Sequence, residues 1–178
     1  MSLSAAGAQQ AAMAARLLAD RRPVAAYTSP LRRCRETARI IAGAHGLNPI
    51  AERGLVEVDY GAWTGGRLSD LRRRKAWRRL MTGAGRFRFP QGETLTEAQG
   101  RAVAAVERIA DRHPGDEVIV VTHADVIRCL VCHYLGMPLD LIHRLVVDPA
   151  GLTILDLDPD GAVRVPAVNV RMPEGLEP

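Results

Sequence analysis

Apolar positions along the chain follow two patterns, a helical spacing near 3.6 residues and short continuous apolar runs. The helical spacing predicts helices over residues 4–19, 30–44, 68–80, 94–113 and 125–135. The short runs, bounded by turn residues, predict strands over 24–27, 49–51, 117–122, 146–147 and 152–157, with a weak final strand after Asp160-Gly161. Strands that alternate with helices favour an α/β domain with helices on both faces of a sheet.

The length of 178 residues allows one sizeable core and is too short for two. We therefore expect one domain over residues 1–172 and a flexible tail over 173–178, which holds two prolines and a glycine. No run of eighteen apolar residues and no basic segment before a cleavable apolar core is present, so neither a membrane span nor a secretory signal is expected. Three cysteines without such a signal favour a reducing, cytoplasmic location.

The net charge of +4 rests on arginine, since Lys75 is the only lysine. Arginine binds oxyanions with two parallel hydrogen bonds, which suits a phosphate-handling protein, although a GC-rich genome explains the bias equally well. The run from Arg72 to Arg79 permits a nucleic-acid surface. With aromatic residues at 4%, however, there is little material for base stacking. We expect a solvated helix face that steers anionic substrates, with no nucleic-acid partner.

Two predicted strand-to-helix junctions carry candidate site residues. His123 follows the apolar strand VIVVT, and Arg32 and Arg33 open the helix after the strand VAAY. A helix N-terminus at the carboxyl end of a strand offers free amides to an anion. Position alone leaves open that His123 only satisfies a backbone carbonyl and that Arg32 pairs with Glu36. Such a pair leaves Arg33 unexplained, so the two junctions together favour a phosphate pocket.

A third candidate lies in the loop LVEVDYGAWTG. Apolar neighbours of Glu57 could raise the pKa of its carboxyl towards the range of a general acid. In an extended segment Glu57 and Asp59 share one side, so local chemistry does not choose between them, and a solvated loop carboxylate is the simpler interpretation.

Four segments in order resemble motifs of the histidine phosphatases, the phosphoglycerate-mutase-like family. TSPLRRCRETA (28–38) resembles S-x-L-x-R-x-x-x-T-A, and LVEVDYGAWTG (55–65) resembles L-x-E-x-x-x-G-x-W-x-G. FPQGET (89–94) resembles the P-x-G-E-S turn, and VVTHADVIR (120–128) resembles the block with the second active-site histidine. LGMPLDLIHRLVVDPAGLTIL continues the similarity, which extends from about Leu3 to Leu157.

The resemblance implies a three-layer α/β/α sandwich around a mixed, mostly parallel sheet. It assigns Arg33, Glu57 and His123 as catalytic residues, with Arg33 and Ala124 binding substrate. In this scheme Arg33 and a protonated His123 stabilise the phosphoryl oxygens, and Glu57 is the general acid. No metal and no organic cofactor are implied. The short span between Glu57 and His123 lacks the insert typical of glycolytic mutases, which favours a phosphomonoester phosphatase that acts on a small substrate through a phosphohistidine.

One departure from the family pattern affects the expected activity. The R-H-G motif with the nucleophilic histidine belongs to a strand upstream of the segment that resembles LSAAGAQQA, where this sequence begins. Histidines 45, 113, 133 and 143 match no catalytic position. We therefore expect a missing first strand, no turnover by the chain as given, and a tendency to form homo-oligomers. The alternatives are an inactive phosphate-binding or scaffolding protein and, more distantly, a basic nucleic-acid-binding module.

The segment from Cys129 to His133 fits the C-x-x-C-H pattern of covalent haem attachment. It lies in a predicted helix among apolar residues, where small buried thiols are ordinary. One Cys-x-x-Cys is also only half of a zinc site, so we expect neither haem nor metal there.

Overall fold

The computed structural model describes residues 2–158 and 160–171; the predicted flexible tail over 173–178 lies outside the described residues. Within them the helices are α1 (Ala5–Leu17), α2 (Arg32–Gly43), α3 (Leu68–Arg72), α4 (Lys75–Thr82), α5 (Leu95–Arg112) and α6 (Ala124–Tyr134). The strands are β1 (Ala25–Thr28), β2 (Ile50–Ala51), β3 (Val118–Val121), β4 (Leu152–Leu157) and β5 (Val163–Val170). The α/β class predicted from the sequence is confirmed.

The central sheet is parallel, with strand order β2-β1-β3. Thr28 at the end of β1 is opposite both Ala51 in β2 and Val121 in β3, so the three strands end at one edge. β4 and β5 form a separate antiparallel pair. The parallel and antiparallel strands expected in one mixed sheet are thus divided between two sheets among the described residues.

Helices cover both faces of the parallel sheet because successive strand residues point to opposite sides. On one face, Ile119 and Val121 pack with buried alanines of α1 and α2. On the other face, Tyr27 and Val120 pack with residues of α5 and α6, including Ile109 and Val126. A third cluster contains Trp63, Phe87 and Phe89 and lies beneath α3 and α4. This arrangement gives the three layers.

The helix predicted over 68–80 is divided into α3 and α4, with Arg74 in an extended conformation between them. The buried residues of the two helices are Leu71 and Leu80. In one continuous helix these positions would be separated by about 900°, which places them on opposite sides. The interruption allows both leucines to face the same core cluster.

The strand predicted over 146–147 is wrong. Side chains from other elements form hydrogen bonds with the backbone groups on either side of this pair. Arg128 Nε donates to the Leu145 carbonyl at 3.0 Å, and the Asp148 amide donates to Asn169 Oδ1 at 2.9 Å. Val146 is exposed. Val146 and Val147 therefore follow each other in an irregular segment that pairs with none of the described strands.

Candidate active site

The site lies where β1 and β3 end and two helices begin. Leu31 is the N-cap of α2 and His123 is the N-cap of α6, and neither makes a side-chain capping hydrogen bond. Because β1 and β3 are adjacent and parallel, both helix N-termini lie at the same edge of the sheet. Ala124 is the first residue of α6, so its amide is among those that have no acceptor within the helix.

Arg33, Glu57 and His123 meet at this edge. Arg33 Nη2 lies 2.9 Å from His123 Nδ1 and 3.6 Å from Glu57 Oε2. Glu57 Oε2 lies 3.5 Å from His123 Nδ1. The His123 side chain is almost fully buried, whereas that of Arg33 is 41% exposed, so the guanidinium reaches from the interior to solvent. We call this group the His123 crevice, and it brings together the three residues that were predicted to be catalytic.

Both ring nitrogens of His123 have partners. Nδ1 accepts from Arg33, which has only donors, and Nε2 lies 2.8 Å from the buried Ser29 hydroxyl. These contacts assign the proton to Nε2. Cys34 Sγ lies 3.5 Å from Nε2 and 3.7 Å from Nδ1. Sequence reasoning missed Ser29 and Cys34, although both lie within the segment TSPLRRCRETA.

The pKa of His123 is lowered to about 4, first because the ring is buried and then because Arg33 places a positive charge beside it. In this arrangement the imidazole is neutral at pH 7. The protonated His123 expected from the sequence therefore needs a negative charge in the crevice, since an opposite charge within about 4–6 Å favours the ionised form.

Burial raises the pKa of Glu57 to about 7, against the lowering effect of the Val58 amide, which donates to Glu57 Oε1 at 3.0 Å. A carboxyl with this pKa holds a proton over part of the neutral range, as a general acid requires. Asp59 is oriented differently. It is exposed and accepts from the Gly61 amide at 2.9 Å. The structure thus separates two carboxylates that the sequence left equivalent.

A second polar group lies next to the crevice. Asp125 accepts from the Tyr60 hydroxyl and from Arg128 Nη1, each at 2.6 Å. Burial raises the pKa of Tyr60 well above its ordinary range, and the Asp125 carboxylate raises it further. Sequence reasoning missed this group, because 65 residues separate Tyr60 from Asp125.

The remaining candidates lie elsewhere. Arg32 forms the local ion pair with Glu36 at 2.7 Å. Cys129 and Cys132 are buried in α6. Within residues 2–158 and 160–171, His123 is the only histidine that contacts Arg33 or Glu57. Over the same residues, no group of three or more His, Cys, Asp or Glu side chains could hold a metal ion.

The fold and the crevice define an α/β protein with a candidate site at the carboxyl edge of a parallel sheet, and the comparison with known proteins identifies the family. The chain belongs to the histidine phosphatase superfamily (branch 1), whose family model matches residues 1–170. Arg33 and His123, which lie in two of the quoted motifs, are in contact at 2.9 Å. None of the described helices is long and apolar enough to cross a membrane.

Relatives carry phosphatase and mutase names. The chain is 29% identical over 158 residues to phosphoserine phosphatase 1 of Hydrogenobacter thermophilus, covering 88% of this chain and 75% of that protein. It is 34% identical over 131 residues to the probable phosphoglycerate mutase GpmB of Klebsiella pneumoniae, covering 72% of this chain and 61% of that protein. Among solved structures, Bacillus stearothermophilus YhfR has a TM-score of 0.87 at 29% identity, over 96% of this chain and 85% of that one.

Proposed function

We propose that the chain supplies the phosphate-binding groups and the general acid of a phosphatase that acts on small phosphomonoesters. The observation that carries the proposal is the meeting of Arg33, Glu57 and His123 within 3.6 Å at the carboxyl edge of the parallel sheet. Cleavage of a phosphomonoester needs groups of these kinds. A cation and an imidazole bind the phosphoryl oxygens, and a carboxyl of raised pKa protonates the leaving oxygen. The similarity to a protein named phosphoserine phosphatase supports hydrolysis.

In this mechanism a phosphoryl group lies between Arg33 and His123, with further hydrogen bonds from amides such as that of Ala124. Its negative charge raises the pKa of His123 and favours the imidazolium, which donates from both nitrogens. A histidine nitrogen attacks phosphorus, the ester P–O bond breaks, and Glu57 protonates the leaving oxygen. Glu57 then takes a proton from water as the water attacks phosphorus and the P–N bond breaks.

His123 is a poor candidate for the attacking nitrogen. The Ser29 hydroxyl occupies Nε2, Nδ1 carries the proton that the imidazolium donates to the phosphoryl group, and the side chain is buried. We therefore assign it to phosphate binding and propose that a second histidine, in an R-H-G segment, supplies the nucleophile. On this proposal the 178 residues alone bind phosphate or vanadate weakly and do not turn over.

A second candidate function is an inactive phosphate-binding protein. It is favoured by the finding that the described residues bring one histidine, and not two, against Arg33 and Glu57.

Self-association remains a prediction, supported by β3, which pairs only with β1 among the described strands. The cytoplasmic location also remains a proposal, supported by three buried cysteines without a disulfide.

The test compares the chain with a version extended at its N-terminus by an R-H-G segment. We expect hydrolysis of p-nitrophenyl phosphate and acid-quenched phosphohistidine only in the extended version, and vanadate binding by both. His123→Gln weakens vanadate binding, whereas His143→Gln, at an exposed position, leaves it unchanged. Equal turnover by both versions, abolished by His123→Gln in the shorter one, would make His123 the nucleophile. Absence of turnover in the extended version, with vanadate still bound, would favour the inactive binding protein.

A further inference from the structure

We propose that Arg101 and Glu93 are positioning residues that hold the Glu57 loop, residues 54–59, against the His123 crevice. The proposal deepens the proposed function, since it concerns the group assigned as general acid. The two residues lie outside the crevice, and Arg101 contacts the Glu57 backbone and not its carboxyl group.

Arg101 in α5 holds the loop by its carbonyl oxygens. Its Nη1 donates to the carbonyls of Gly54 at 2.9 Å and Val56 at 2.7 Å, and its Nη2 donates to the carbonyl of Glu57 at 3.0 Å. None of the described strands pairs with the loop to bind these carbonyls, and a buried carbonyl without a donor is costly. The fork of guanidinium donors satisfies three of them from one side chain.

Glu93 fixes the arginine and the far end of the loop. Its carboxylate accepts from Arg101 Nη2 at 2.6 Å and from Arg101 Nε at 3.1 Å. It also accepts from the Asp59 amide at 2.8 Å, while the Glu93 amide donates to the Asp59 carbonyl at 3.0 Å. Both side chains are mostly buried, at 25% and 18% exposed, so solvent screens the pair less than a surface pair.

The loop also packs directly on α5. A Cβ atom at Gly54 would lie 2.6 Å from Ala105 Cβ and 2.8 Å from the Arg101 carbonyl oxygen, so no larger residue fits. Leu55 is fully buried, and its carbonyl accepts from the Thr122 hydroxyl at 2.7 Å, next to His123. The loop is therefore fixed on one side by α5 and on the other by Thr122, which lies between the end of β3 and His123.

Arg101 could act on Glu57 by placement or by charge, and the two roles predict opposite changes in the pKa of Glu57. Its positive charge favours the ionised carboxylate, so loss of charge alone raises this pKa. Burial is the largest cause of the raised value near 7. Loss of placement exposes the carboxyl to water, and the pKa falls towards the ordinary glutamate value of about 4.3.

The experiment is a ¹³C NMR titration of glutamate carboxyls in the chain as it is, with Glu57 assigned by Glu57→Gln. We expect the pKa of Glu57 to fall in both Arg101→Lys and Arg101→Met, and to fall in Glu93→Gln. Arg112→Lys is the matched control, since Arg112 lies on the same helix at an exposed position and forms no ion pair with the described residues. It leaves the Glu57 titration unchanged.

Several outcomes would overturn the proposal. A raised pKa in Arg101→Met with no change in Arg101→Lys would assign Arg101 a purely electrostatic role. A lower melting temperature with an unchanged Glu57 titration would reduce it to a general structural role. Because the titration needs no turnover, failure of the phosphatase proposal and failure of this one are distinguishable. In the R-H-G-extended version, Arg101→Lys lowers kcat at least tenfold with KM changed less than about threefold, as expected for an interaction made in the transition state.

Discussion

Arginine is used differently in the His123 crevice and in residues 67–79, which we call the cationic segment. Around the crevice, Arg33 contacts an imidazole and a carboxylate, and Arg101 is held by five hydrogen bonds. In the cationic segment every basic side chain is exposed, and none forms an ion pair with the described residues. The Arg72 side chain lies over the Trp77 ring at 6.0 Å.

The charge distribution sharpens this contrast. The cationic segment holds seven of the 24 basic residues and one of the 20 acidic residues. The rest of the chain, with 17 basic and 19 acidic residues, has a small net negative charge. The positive charge of the protein therefore belongs to one exposed segment, while the crevice combines charges that compensate each other. Fixed donors distinguish one anion from another, whereas free charges only raise the local concentration of anions.

The largest predicted effect is on kcat, when Glu57 is replaced by a residue that cannot donate a proton to the leaving oxygen. In the R-H-G-extended version, Glu57→Gln lowers kcat by about 10²- to 10⁴-fold, the usual contribution of a general acid. Asp59→Asn, which leaves the crevice unchanged, lowers it less than about threefold. Steady-state hydrolysis of p-nitrophenyl phosphate measures both, and a larger loss in Asp59→Asn would reverse the assignment. The activity of the R-H-G-extended version without substitutions also declines as pH rises above about 7, where Glu57 loses its proton.

A smaller effect, on anion affinity, is expected when the forked guanidinium of Arg33 is replaced by a group of the same charge. Arg33→Lys weakens vanadate binding by roughly 10- to 100-fold, because a charge-assisted hydrogen bond contributes about 1.5–3 kcal/mol. Arg32→Lys, one residue away and paired with Glu36, leaves the affinity unchanged. Isothermal titration of four proteins, namely the parent, both lysine variants and Arg33→Met, gives the comparison. Unchanged affinity in Arg33→Lys, with a loss of affinity in Arg33→Met, would mean that charge, and not the fork, binds the anion.

The crevice also makes two opposed contributions to stability that vary with pH. The pKa of Glu57 is raised to about 7, so its contribution to the free energy of unfolding is fully present below about pH 4.3. This contribution is lost as pH rises to 7. The pKa of His123 is lowered to about 4, so its contribution is present above about pH 6.5 and is lost as pH falls to 4. The two changes oppose each other between pH 4 and 7.

Urea unfolding separates these two contributions. Glu57→Gln leaves only that of His123, and the free energy of unfolding then rises relative to the parent between pH 4.5 and 7, by up to about 3 kcal/mol. His123→Gln leaves only that of Glu57, and the free energy falls over the same range. Identical pH profiles for the parent and both variants would contradict the titrations on which this comparison rests.

The same contrast explains what the sequence could predict. Arg33 and His123 follow apolar strands, and a strand-to-helix junction in a parallel sheet has nearly fixed geometry, so their meeting was foreseeable. The loop around Glu57 is irregular, and its direction depends on Arg101, 44 residues further along the chain. A polar residue among the alanines of α5 gives no local sign of such a contact. The break at Arg74 was also hidden, because it depends on where Trp63 and the core beneath α4 lie.

The smallest predicted effect belongs to the cationic segment, where the charges have no fixed partner. In the R-H-G-extended version, Arg73→Gln combined with Arg74→Gln lowers kcat/KM for an anionic phosphomonoester about two- to threefold at 10 mM salt and leaves kcat unchanged, since screening is weak there. At 0.5 M salt the difference disappears. Arg22→Gln combined with Arg112→Gln removes the same charge from exposed positions elsewhere and serves as the control. If the segment lowered kcat itself, or if its effect persisted at high salt, its arginines would contact the substrate directly and the division between fixed and free arginines would fail.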